Sequence, residues 1–403
     1  MGIKSGYKQT QIGILPDDWE VKKLGELSKI ERGKFSARPR NDPKYYGGDT
    51  PFLQTGDIVR SKGKISTFSQ SLNKEGVKVS RVFPAGTLFF TIAANIGDVG
   101  ITNFVSACPD SLVAISPKPH ISKEWLLYEL SSRKKDFENI SSLSAQLNIN
   151  LEKLTPYLLP VPKENEQKAI AKTLLDVDEL LEGLDELIKK KNNIKQIFMK
   201  QVLDQKIRLP GFSGQWVEIT IDELEQKNFV MLSRGKVISK KNIDKLPGDF
   251  PIYSSSIHNN GLFGHYGDFM FNEELITWSV DGGGNFFYRP KHKFSITNVC
   301  GFMKVDNSQI DYRFLAAELQ LLHTKKNYDY QSKAHPSVIR KEYKLKLPDL
   351  KEQKAIANIL YDIDNEIETL ISRRNKTSNL KQAIMHELLT GKTRLAKHKE
   401  INA

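Results

Sequence analysis

Between residues 163 and 206, apolar side chains fall at Ile170, Leu174, Val177, Leu181, Leu184 and Ile188. The steps alternate between four and three, the a/d seam of a coiled coil. The seam weakens at Lys191 and Lys195 and resumes at Phe198 and Val202. Pro162 lies just outside the start, Glu164 or Asn165 can cap it, and Pro210–Gly211 ends it. About forty residues at 1.5 Å each predict a helix of roughly 60 Å. The same seam returns over 349–391 as Ile356, Leu360, Ile363, Ile367 and Leu370. It fades at Arg374 and Thr377, picks up at Ile384 and Leu388, and stops at Gly391. An apolar stripe on a long helix has to be buried. Each helix outreaches a globule of some 150 residues, about 30–40 Å across. The two stripes are therefore expected to cover each other or a partner's helices, rather than only their own globules.

The remaining chain has a different rhythm. Residues 1–156 alternate short strand-like runs (TPFLQTGDIV, GTLFFTIAANIGDVGIT, SLVAISPK) with glycine turns, and KEWLLYEL at Lys123–Leu130 reads as a helix. Residues 207–342 repeat that style. Trp216 echoes Trp19, Arg234–Lys236 (RGK) echoes Arg32–Lys34, and FPIYSSSI echoes TPFLQTGDI. Asp311–Leu319 echoes the helix that ends at Leu130. Each half is expected to be an α+β globule of mixed strands and helices.

The helices are near copies. EQKAIA occurs at Glu166–Ala171 and at Glu352–Ala357, an offset of 186. The offset holds from Tyr157/Tyr343 to Leu209/Leu395, with about 23 of 53 positions identical. A repeat this long is one structural unit used twice. The expected organisation is a globule over 1–156, a spacer helix over 157–206, a second globule over 207–342, a second spacer helix over 343–394 and a tail over 395–403.

Charge narrows the class of partner. The 403 residues carry a net charge of +12, which favours a polyanion, nucleic acid first. No run approaches the eighteen or so apolar residues of a membrane span, and the start lacks a signal-peptide core, so a cytoplasmic protein is expected. Cys108 and Cys300 sit in apolar strand-like stretches and read as small buried hydrophobes, possible counterparts in the two halves.

Catalytic signatures are missing from the sequence. It has no Asn-Pro-Pro or Asp-Pro-Pro loop to grip a flipped adenine. Gly391–Lys392–Thr393 ends like a phosphate loop, but His386 stands where its first glycine belongs. Pro348–Asp349 lies too close to Glu352–Lys354 for a nuclease core. Asp281–Gly284 reads as a loop, and the scattered histidines suggest no metal site. Two basic loops with aromatic residues nearby suit phosphate and base-edge contact. In the first globule the candidates are Arg32, Lys34, Arg38 and Arg40, followed by Arg60, Lys62 and Lys64. In the second they are Arg234, Lys236, Lys240 and Lys241.

Together these features resemble the specificity (S) subunit of type I restriction–modification systems, over essentially the whole chain. The most specific elements are YLLPVPKENEQKAIA and YKLKLPDLKEQKAIA, each leading into a heptad helix, with HELLTGKTRL closing the second. PDDWEVKKLGEL, Gly56–Ile58 and Gln146–Leu154 add to the likeness. The second half departs with SSSI for TGDI and AHPSVIRKEY for SAQLNINLEKL, so the two globules are expected to read different sequences. The resemblance implies two target-recognition domains, each reading one half of a split, asymmetric double-stranded DNA site. It implies an antiparallel coiled coil that spaces them and docks two methyltransferase subunits, with restriction subunits joining. Catalysis would then lie in the partners, as would S-adenosylmethionine, ATP and Mg. Rival readings are a specificity protein of a related methylation-only or other defence complex, a stand-alone DNA-modifying enzyme, and a protein-binding scaffold.

Overall fold

The structure, a computed structural model, describes residues 3–142, 148–255, 258–281, 285–326 and 334–395. Gln146–Leu147, Ser256–Ile257, Gly282–Gly284 and the tail beyond Leu395 lie outside the described residues. The chain divides into two compact units, Met1–Gly183 with Arg374–Ala403, and Leu184–Arg373. The class is α+β, with a sheet-rich globule in each unit and two helices of 40 residues, Glu164–Leu203 and Leu350–Leu389.

In the first unit a five-stranded sheet runs Ser28–Arg32, Leu112–Pro117, Leu88–Thr91, Val99–Thr102, Lys64–Ile65 in spatial order. Strand residues alternate sides, and here both sides are covered. Leu88, Phe90, Val113 and Ile115 face one core, while Phe89, Leu112 and Ala114 face another. That accounts for the unbroken apolar runs in this stretch, since a sheet with one wet face would alternate polar and apolar. A four-stranded sheet carries Tyr46–Phe52 and Ser106–Ala107, joined in parallel at Phe52 and Ala107. The helix Lys123–Ser132 is capped by Ser122 and buries Trp125, Leu126 and Leu130.

The second unit is built on a six-stranded sheet: Val230–Arg234, Cys300–Val305, Phe271–Ser279, Phe286–Ile296, Phe250–Tyr253, Leu262–Tyr266. Ile276, Trp278 and Met303 face the core that takes in the helix Tyr312–Thr324. Leu275, Phe294 and Phe302 face a smaller core on the other side. The helix is capped by Asp311, whose carboxylate accepts from the N–H groups of Arg313 and Phe314.

Each globule is joined to its long helix in the same way. Leu158–Val161, just before the first helix, pairs antiparallel with Glu20–Lys23. Lys344–Leu347, just before the second, pairs antiparallel with Val217–Thr220. The helix ends then enter the cores. Ile170, Ala171 and Leu174 pack with Leu388 and Leu389 in the first unit. Met199, Val202 and Leu203 pack with Ile356, Ala357 and Leu360 in the second. No helix among the described residues is long and apolar enough to cross a membrane.

Candidate nucleic-acid interface and docking frame

The residues repeated at offset 186 make the same contacts in each unit. Gln167 donates from its amide to Pro162 O at 2.9 Å and accepts from Ser122 N at 2.9 Å. Gln353 does the same with Pro348 O and Asp311 N, both at 2.9 Å. One glutamine thus ties the helix start to the strand before it and to the cap of the globule's own helix. The preceding glutamate takes an arginine. Arg394 donates to Glu166 at 2.6 and 2.8 Å, and to Asp18 at 2.9 and 3.0 Å. Arg208 donates to Glu352 at 2.9 and 2.7 Å. Trp19 Nε1 also reaches Glu166, at 2.9 Å. Arg394 holds the Asp18 carboxyl below the usual carboxylate range, and both carboxylates raise the Arg394 guanidinium above its ordinary value.

Further along, the two long helices run antiparallel, as one ion pair made twice shows. Lys381 meets Asp178 at 2.5 Å in the first unit. Lys195 meets Asp364 at 2.5 and 2.7 Å in the second. The seam does not stop at its lysines. Lys191 and Lys195 occupy a/d positions, are partly buried, and send their ammonium groups to Glu366 and Asp364. Among the predicted seam residues, Ile170, Leu174, Leu184, Ile356, Leu360 and Ile367 are buried, and Val177, Leu181, Ile188, Ile363 and Leu370 are half-buried.

Two glutamates on the globule helices stand at matching places, each seven residues beyond its cap. Glu129 accepts from Arg133 Nε at 3.0 Å. Glu318 accepts only a long bond from Lys346 N, at 3.4 Å. The second carboxyl oxygen of each has no partner among the described residues. Burial pushes both pKa values up to about 7, partly opposed at Glu129 by the charge of Arg133.

The RGK motifs form one turn, built twice. Gly33 N donates to Leu112 O at 2.9 Å and Lys34 N to Cys108 O at 3.0 Å. Gly235 N donates to Cys300 O at 3.0 Å and Lys236 N to Ile296 O at 3.3 Å. The arginine in front reaches over the crossing chain, with Arg32 Nε donating to Asp110 O at 2.7 Å and Arg234 Nε to Asn298 O at 3.0 Å. Glycine is required because the backbones nearly touch. A Cβ on Gly33 would sit 2.2 Å from Pro109 O, and one on Gly235 2.4 Å from Thr297 O. This register corrects one expectation: Cys108 corresponds to Ile296, and Cys300 to Leu112, so the cysteines are not counterparts. Both are free and buried, and burial raises both thiols, Cys300 to about 12.

All eleven candidate basic residues are exposed. Arg40 joins Arg32 over Asp110, donating to its carboxylate at 2.9 Å and lowering its pKa. Arg38 folds onto Ala37 O at 2.7 Å. Lys34 belongs to the same turn. Arg60 pairs with the buried Asp57 and, with Lys62 and Lys64, lies apart. Lys64 is on the sheet edge opposite Arg32, four strand spacings away, or about 19 Å. In the second globule Lys240 and Lys241 open a short helix capped by Ser239, just beyond Arg234 and Lys236. Among the described residues, the ammonium groups of Lys34, Lys62, Lys64, Lys236, Lys240 and Lys241 have no partner. Six residues with structural roles were read as repeat identities but not as site residues: Glu166, Gln167, Arg208, Glu352, Gln353 and Arg394. Their identity across the repeat was the available signal, because polar identities at offset 186 have no helix-seam explanation.

Comparison with known proteins gives a single family. The sequence model of the type I restriction modification DNA specificity domain matches residues 16–210 and again 214–377. The putative type I restriction enzyme MjaX specificity subunit of Methanocaldococcus jannaschii is 26% identical over 97% of each chain. The crystal structure of a type I restriction–modification S subunit from M. genitalium superimposes with a TM-score of 0.62, covering 96% of this chain and 98% of that one at 17% identity. A chain from a structural study of type I system assembly and conformational transition gives 0.56, covering 94% and 99% at 16% identity. At these identities the structural likeness is one of fold.

Proposed function

Since the chain belongs to the type I restriction–modification DNA specificity family, we propose that its two globules, residues 1–156 and 207–342, each read one half of a bipartite, asymmetric DNA duplex. The long helices, over 157–206 and 343–394, set the spacing of the halves and dock two methyltransferase subunits, which restriction subunits join. Methyl transfer and cleavage, with S-adenosylmethionine, ATP and Mg, take place in those partners. The chain itself supplies recognition in the cytoplasm.

One observation carries this reading: the contacts that fix the frame are duplicated, while the loops at the RGK edge are not. Gln167 and Gln353 have equivalent partners, and so have Lys381 and Lys195. The segment after the equivalent strands differs, a helix at Thr55–Ser61 against a turn at His258–Gly261. A frame that meets the same protein twice is held constant, and surfaces that meet two different half-sites diverge. The exposed lysines and arginines supply the sequence-independent phosphate attraction that such reading needs.

Mapping methylated adenines in the source genome, with and without this gene, tests the reading. A two-part motif should vanish when the gene is removed. Replacing residues 207–342 with those of a relative should change one half of the motif, and a change in both halves would refute independent readers. Adding one heptad to each helix lengthens it by about 10 Å, so the unread spacer should grow by about three base pairs at 3.4 Å each. An unchanged spacer would refute the ruler.

A further inference from the structure

The two globules part company at one place. Phe52 and Ile252 are equivalent, each pairing in parallel with the strand that precedes an RGK contact, at Ala107 and Ser295 respectively. Beyond them the first globule's backbone enters the helix Thr55–Ser61. The second makes a turn in which Asn259, Asn260 and Gly261 are all left-handed, with φ of 49°, 51° and 78°. Asparagine tolerates that region better than most side chains, but successive non-glycine residues need outside support.

The support is Arg289, which is 5% exposed. Its Nη2 donates to Asn260 O at 2.7 Å and its Nε to Thr277 Oγ1 at 3.0 Å. Its guanidinium lies over the Tyr253 ring at 3.7 Å and the Phe287 ring at 4.7 Å. No carboxylate pairs with it among the described residues. Burial lowers its pKa to about 10. A buried cation without a counter-ion is costly, and here its charge is directed at one turn carbonyl, a charge-assisted bond. The other anchors are Ser254 N to Gly261 O at 2.8 Å and Ser254 Oγ to Thr297 Oγ1 at 2.9 Å. Thr297 in turn bridges to Lys236. The turn is therefore linked to the RGK edge through Ser254 and Thr297, and Asn259 and Asn260 are exposed.

We propose that the Asn259–Asn260 turn is the base-reading element of the second globule, held in place by Arg289, and that it reads an A·T pair through an asparagine amide. The amide matches the adjacent donor and acceptor of adenine N6 and N7 in the major groove. Arg234 and Lys236 hold the neighbouring phosphates. Arg289 is a positioning residue, since its burial keeps it off the DNA. The inference rests on the DNA-reading function proposed above.

The test is selection by the full-length chain from a duplex library randomised over its centre. Glycine accepts the left-handed backbone, so N259G/N260G removes both amides and keeps the turn. Wild type should enrich a two-part motif. N259G/N260G should keep one half and the spacing, and lose discrimination for A·T at one or two adjacent pairs of the other half by about 10- to 100-fold. R289M should blur the same pairs and leave the salt dependence of non-specific binding unchanged. An unaltered motif from N259G/N260G, altered G·C pairs alone, or loss in both halves would overturn the proposal. If R289M does not fold, the glycine variant decides alone. A wild-type chain that enriches no motif would overturn the DNA-reading function itself, a distinguishable result.

Discussion

Replacing Glu318 by glutamine should make the second unit more stable at pH 8 and change it far less near pH 5. The Glu318 side chain is 3% exposed overall, its Oε2 has no partner among the described residues, and burial raises its pKa from 4.5 to about 7. Between those values the folded chain keeps a proton that the unfolded chain has released. Stability is therefore fully present below about pH 4.5, falls as pH rises towards 7, and stays low above it. A shift of that size corresponds to on the order of 3 kcal/mol. Glutamine stays neutral and removes the dependence. For a unit of this size the gain at pH 8 is about 6–12 °C in midpoint. Thermal melts of wild type and E318Q at pH 5 and pH 8 measure it. Equal effects of E318Q at both pH values would refute the reasoning, because loss of a shape or a bond does not depend on pH.

Two more predictions concern contacts that both units make. Arg208→Ala leaves the Glu352 carboxylate, 1% exposed, without its cation, and should lower the denaturant midpoint. A double-mutant cycle with Glu352→Ala should recover more than half of that, and strict additivity would show that the pair is uncoupled. Gly235→Ala forces a Cβ into Thr297 O and should displace the RGK turn, weakening DNA binding several-fold while circular dichroism stays native. Wild-type affinity from G235A would show that the turn has no part in binding.

Periodicity made the helices legible, because an a/d seam repeats over many turns and leaves little room for another reading. The duplication exposed the frame for the same reason. Lys191 and Lys195 read as a fading seam because a polar residue at an a/d position looks like an end when its partner is unseen. Their carboxylates come from the other helix, more than 160 positions away. Gln167 and Gln353 were visible as identities, but their acceptors are a proline carbonyl and a capped helix start, which no local pattern announces. The basic loops were found by composition. That Arg32 and Arg40 gather over Asp110 while Lys64 lies across the sheet was not, because strand order is decided by long-range pairing. The supposed match of Cys108 with Cys300 failed because residue type was taken for register.

The ion pair made twice also has a consequence for assembly. Asp178 and Lys195 lie on one helix, and their counterparts Asp364 and Lys381 lie on the other. Each helix therefore carries both halves of the pairing code and is complementary to an antiparallel copy of itself, the condition for an isologous dimer. Lys191–Glu366 breaks the equivalence, since Thr377 and Leu180 stand at the matching places. Half of this chain, made alone, would find in a second copy the same lysine–aspartate pairing it finds in its own other half. What favours the intact molecule includes that bridge, together with the high effective concentration of a tethered partner.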